Sequence, residues 1–140
     1  MGKGLSRDWR DARHLLIWTT QPSHGSRFYL IDVETGRAEA FDPDVLTRNG
    51  HVSYLPGNRW ILSDTGPDEQ RLQHPYLYDT QKRRLHPLGH LYAAPEYTGY
   101  WRCDTTPRCS PDGRKVVLDS PHGGSGRQMY LLDISGITGS

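Results

Sequence analysis

Ser110-Pro111-Asp112-Gly113-Arg114, running straight into Lys115-Val116-Val117-Leu118-Asp119-Ser120, decides the fold of this 140-residue chain. Pro111 presets φ at the second position of a tight turn, and Gly113 accepts positive φ near its end. The run that follows is short, apolar and rich in β-branched residues, the signature of a buried strand. A polar loop comes next, then a second apolar run ending on an acid, Met129-Tyr130-Leu131-Leu132-Asp133.

The same order occurs twice upstream. Arg13-His14-Leu15-Leu16-Ile17-Trp18-Thr19 leads through a polar loop to Phe28-Tyr29-Leu30-Ile31-Asp32, and Arg59-Trp60-Ile61-Leu62-Ser63-Asp64-Thr65 leads to Tyr76-Leu77-Tyr78-Asp79. Arg13 and Arg59 lie 46 residues apart, Asp32 and Asp79 47 apart. The next interval is longer, 55 from Arg59 to Arg114, and the excess falls in a Pro/Gly/Tyr-rich insertion at 89–101. Leu55-Pro56-Gly57-Asn58 supplies the turn before the second repeat and Trp9-Arg10-Asp11-Ala12 a degraded one before the first.

A period near 46 with four short strands per unit fits β-propeller blades. The expected strands are 5–9, 13–19, 28–32 and 38–41 in a first blade at about 4–44. Those of a second blade, at about 50–90, are 51–55, 59–65, 76–79 and 84–88. A third blade, at about 101–136, has 108–110, 114–120 and 129–133 and lacks its outer strand. No window carries apolar residues at helical spacing. The expectation is therefore an all-β chain of about three four-stranded antiparallel blades. Three open blades leave two apolar sheet faces, so a second copy is expected to close the ring as a six-bladed homodimer.

Composition narrows the function. Seventeen basic and sixteen acidic residues give a net charge of +1, no footprint for nucleic acid. Lys82, Arg83 and Arg84 read as a solvated turn. No apolar stretch approaches the about 20 residues of a membrane helix, and no hydrophobic N-terminal region of signal-peptide length is seen, so a soluble, cytoplasmic protein is expected. Cys103 and Cys109, six residues apart, would stand about 20 Å from each other on one extended strand and read as buried free thiols. Ser53 and Ser120 lack a nucleophile-elbow context, and Gly123-Gly124-Ser125-Gly126 lacks the Lys-Ser/Thr of a phosphate loop.

The turn at Ser110–Arg114 with the two runs after it resembles the repeat of TolB-type propellers. Trp101-Arg102-Cys103-Asp104-Thr105-Thr106-Pro107-Arg108 and Gly126-Arg127-Gln128-Met129-Tyr130 resemble the C-terminal blades of the oligogalacturonate lyase family of seven-bladed propellers. That resemblance implies a divalent metal, usually manganese, held at the axis by three His and one Gln. His51 matches the place of one His. The family's Gln-x-x-His-x-His-Pro pattern falls on 101–107, with Trp101 at the Gln, Asp104 at the first His and Thr106 at the second. Of these three only Asp104 can bind a metal. His51 and Asp104 are therefore the candidate metal ligands, Mn2+ the ion the family implies, and a chain without a cofactor the expectation.

A binding module would take its ligand on the face bearing residues 20–27, 64–76, 89–102 and 119–128. Asp104 with Arg102 and Arg108 reads as a structural ion pair or as an anion-binding cluster, since Arg forks suit carboxylates, uronates included. Tyr97, Tyr100 and Trp101 either pack the insertion against its own blade, which is the expectation, or stack on a sugar ring. His24, His74 and His122 in the loops between second and third strands read as surface residues. Asp32, Asp79 and Asp133 recur at one repeat position and read as turn-bonding structural acids, with Asp64 and Asp119 a second equivalent set. The function expected is a binding module, with an acidic oligosaccharide as candidate partner. The alternative is a metal-dependent pectate-oligomer lyase or part of one.

Overall fold

The structure, a computed structural model, describes residues 6–139. Leu5, the expected first residue of strand one, lies outside them. Among the described residues the chain is all-β, apart from a 3₁₀ turn at Gly99–Trp101 and a single helical turn at Ser135–Thr138.

Each repeat forms one antiparallel sheet. The first holds β1 (Arg7–Trp9), β2 (His14–Gln21), β3 (Gly25–Asp32) and β4 (Ala38–Ala40), in that order. The second pairs β5 (Val52–Tyr54), β6 (Trp60–Ser63), β8 (Tyr76–Asp79) and β9 (Arg84–Pro87). The third pairs β11 (Arg108–Cys109), β12 (Lys115–Ser120) and β13 (Gln128–Asp133). After Asp133 the chain enters the helical turn, and Ile134 drops fully buried into the core. A fourth sheet was not expected: β7 (Leu72–Gln73) pairs with β10 (Leu91–Tyr92) and ties the second sheet's long loop to the insertion.

Strand alternation decides which residues meet between sheets. Leu16 and Phe28 of the first sheet pack on Val52, Ile61, Tyr76 and Tyr78 of the second, with Trp18 edge-on to Phe28 at 5.1 Å. The second sheet's other face presents Leu55, Trp60, Leu62 and Leu77 to Val116 and Ile134. Every residue of β6 and β8 is buried, which is why both read as unbroken runs while outer strands alternate.

Among the described residues the two far faces of the stack have no such cover. On the first sheet, Trp9, Leu15, Ile17 and Ile31 point away from the second and remain partly exposed. On the third, Val117 stands opposite Leu131, which is 67% exposed, and Met129 beside it is 70% exposed. No helix among the described residues is long and apolar enough to cross a membrane.

The recurring acids have a visible task. Arg13 grips Asp32 through Nε and Nη2 (2.9 and 2.7 Å), and Asp32 Oδ1 also accepts the Glu34 amide. Arg59 repeats the fork on Asp79 (3.0 and 2.8 Å), whose Oδ1 accepts the amides of Gln81 and Lys82. In the third sheet the fork is reduced to Lys115 Nζ at 3.8 Å from Asp133, while the turn bond survives to Ser135 N–H at 2.9 Å. In the first two repeats the Arg that precedes the second strand thus clamps the Asp that closes the third, a pairing that staples the hairpin ends.

Candidate functional site

His51 enters β5 from Gly50, and the approach is close. A Cβ on Gly50 would stand 1.7 Å from the Asp64 carbonyl oxygen, so only glycine lets the two backbones meet. The contact places Asp64, at the end of β6, under the start of β5. Asp64 Oδ1 accepts the His51 N–H at 2.8 Å, and the His51 Nδ1 stands 3.1 and 3.2 Å from the two carboxylate oxygens. Asp64 Oδ2 accepts Thr105 Oγ1–H at 2.6 Å and the Thr106 N–H at 3.2 Å. Ser63 Oγ–H donates to the His51 carbonyl at 2.5 Å. One buried carboxylate therefore joins the second sheet to the segment entering the third.

This bond to Asp64 raises the His51 pKa above its usual value; burial and Arg102 oppose the rise. A raised imidazole contributes stability in full below its unfolded pKa of about 6.5 and loses it as pH climbs through the higher folded value. The His51–Asp64 tie is thus strongest in mildly acidic solution.

A cleft of about 330 Å³ opens above the tie, walled by Ser6, His51, Thr65, Arg102 and Asp104. Arg102 Nη2 pairs with Asp104 Oδ2 at 3.0 Å, and the Arg102 side chain stays 55% exposed. The pair is a ridge, because both residues also line a second hollow of about 480 Å³ with Cys103, Asp119, Arg127 and Met129. Arg127 Nη2 anchors the ridge by donating to the Trp101 carbonyl at 2.7 Å.

His51, Asp104 and Arg102 thus share one cleft. Arg108 does not join them: its Nη1 donates to the Thr106 carbonyl at 2.5 Å and stands 3.4 Å from Asp119. β11 begins at Arg108, and its side chain leaves the strand toward β12. The insertion also differs from expectation. Arg71 holds its backbone, donating to the carbonyls of Ala93, Ala94 and Tyr97 at 2.9, 3.3 and 3.1 Å. With carbonyls supplying the anchorage, Tyr100 is 100% exposed and Trp101 71% exposed; neither ring packs on a sheet, and only Tyr97 is half covered.

The cleft is a sparse metal site. His51 commits Nδ1 to Asp64, leaving Nε2, and Asp104 is already neutralised by Arg102. Manganese prefers six hard, oxygen-rich ligands. Trp101 and Thr106, at the family's other ligand positions, bring neither a carboxylate nor an imidazole. The two donors that face the cleft do not fit that ion. Among the described residues no three His, Cys, Asp or Glu are grouped to hold a metal.

Cys103 is buried, Cys109 half-buried, and both are free; burial raises both thiol pKa values. His24 is exposed, and His122 bonds Ser120 Oγ and leans on Tyr130. His74 is no isolated surface residue. Its Nε2 lies 2.7 Å from Asp68 and its Nδ1 2.8 Å from His90 Nδ1. The cue in the sequence was a His flanking each of two very short strands; nothing in its spacing showed that they pair.

No protein-family model and no curated protein matches the chain. Among solved structures, the crystal structure of TolB from Acinetobacter baumannii is similar, with a TM-score of 0.63 and 26% identity over 92% of this chain. The chain spans 29% of the length of that TolB chain. The fold is TolB-type and propeller-like.

Proposed function

We propose that the chain is a propeller-type binding module that takes an acidic oligosaccharide on the cleft face. The observation that carries this reading is the run Tyr100-Trp101-Arg102: two largely bare aromatic rings at the end of the insertion, followed directly in the chain by an exposed guanidinium that lines the cleft. Exposed rings offer flat faces for a sugar, and the Arg fork fits a carboxylate. In this reading the three stacked sheets are three blades, and a second copy of the chain covers their outer faces. The likeness to TolB supports the propeller geometry and leaves the ligand to chemistry.

Calorimetric titration with oligogalacturonate, against a neutral oligosaccharide of equal length, tests the ligand. Binding is expected for the acidic probe alone. Arg102→Ala should weaken it about tenfold or more, the scale of one charge-assisted hydrogen bond, and Trp101→Ala by up to about tenfold, the scale of one lost aromatic stacking contact. Their exposed positions leave the fold intact. Absence of binding by the unaltered chain, or equal affinity in both variants, would sink the reading. Ultraviolet absorbance of unsaturated product in the same mixture would favour a lyase instead.

A further inference from the structure

The β7–β10 ribbon has no counterpart in the other two sheets, and it sets two histidines opposite each other. Gln73 pairs with Leu91 in antiparallel register. One step outward, the same register faces His74 with His90, at a separation where cross-strand side chains touch. Their Nδ1 atoms are 2.8 Å apart and their rings cross at 65°.

His74 is held from three sides. Its backbone N–H donates to Thr65 Oγ1 at 3.1 Å, and its Nε2 lies 2.7 Å from Asp68 Oδ2. Asp68 is itself fixed, because Oδ1 accepts the amides of Gln70 and Leu72, each at 2.9 Å. A carboxylate on the far nitrogen of a histidine fixes the tautomer, keeps the proton on Nε2 and leaves the Nδ1 lone pair free. That is the arrangement by which proteins orient a metal-binding imidazole.

We propose that His74 and His90 form a site for a late first-row divalent cation such as Zn2+, bound between their two Nδ1 atoms with Asp68 as the positioning carboxylate. Imidazole pairs suit zinc, copper and nickel better than manganese or magnesium. At Zn–N distances of about 2.0–2.1 Å, tetrahedral neighbours lie about 3.3 Å apart, so the pair needs to open by about half an ångström. His90 accommodates the ion by moving its proton from Nδ1 to Nε2. Both histidines line a hollow of about 340 Å³ with largely apolar walls, Leu46, Tyr76 and Leu85 among them. The ion's other positions are left to water or to a donor group of a molecule seated there. This site is separate from the His51 cleft and does not rest on the oligosaccharide reading.

Zn2+ added to the untagged chain, followed by calorimetry and by side-chain imidazole NMR, tests the assignment. The His74 and His90 ring signals should move while those of His51 stay. His90→Gln should abolish binding, and Asp68→Asn should weaken it about 10- to 100-fold. His24→Gln should bind as the unaltered chain does, and Mn2+ should leave the two rings unperturbed. Unmoved His74 and His90 signals, or zinc affinity unchanged in His90→Gln, would overturn the proposal. The ring signals decide the matter even should a variant fold poorly.

Discussion

Asp79 shows what one residue does for this fold. Its side chain is almost wholly buried, yet it is charged, because the Arg59 fork and two turn amides hold its carboxyl well below the usual carboxylate range. A depressed acid contributes stability above its unfolded pKa of about 3.9 and loses it as pH falls toward the folded value. Asp79→Ala is expected to cost about 2–3 kcal/mol in denaturant unfolding at neutral pH, since it strands Arg59 and two amides. It should also flatten the stability profile below about pH 4. Asp133→Ala, whose Lys partner is distant and half exposed, should cost clearly less. Equal costs for the two would show that the fork is not what the repeat maintains. Recurrence alone marked these acids as structural; the Arg partners of Asp32 and Asp79 were visible at the start of their repeats, but a 19- or 20-residue separation gives no local sign of contact.

At the scale of elements, the middle sheet bears the packing. Leu77 is fully buried in a cluster with Val116 of the third sheet and Ile134 just beyond it, whereas Leu131 lies on an exposed face. Leu77→Ala should destabilise by about 2–5 kcal/mol. Leu131→Ala in the isolated chain should stay within about 0.5 kcal/mol. Chemical denaturation with matched slopes separates them, and similar losses would mean that the sheets do not stack in this order. These strands were legible because a buried strand needs an apolar run and each run follows a turn signal such as Pro111-Asp112-Gly113. The ribbon of β7 and β10 was not, because two residues carry no periodicity. The same limit hid the Asp64 junction, whose partners Thr105 and Thr106 lie 41 and 42 residues downstream. Family resemblance singled out His51 and Asp104, and nearness in the chain joined Arg102 and Arg108 to Asp104; only the structure shows that His51, Arg102 and Asp104 share one cleft, and Arg108 leaves it because sequence proximity does not tell which way a strand residue points.

For the whole molecule, the stack has two ends. One shows Trp9, Leu15, Ile17 and Ile31, the other Val117, Met129 and Leu131. Apolar faces of this kind drive association in water. The fold it shares with TolB is one whose sheets pack around an axis, and 29% of the TolB chain is matched. A second copy turned by a two-fold axis would bring the first sheet of each chain against the third sheet of the other, covering both faces at once. Sedimentation equilibrium over a wide concentration range measures this most directly. The account predicts a folded species of twice the chain mass that shifts toward monomer when Leu131 and Ile17 are both changed to Lys. A stable, folded monomer at every concentration would contradict it.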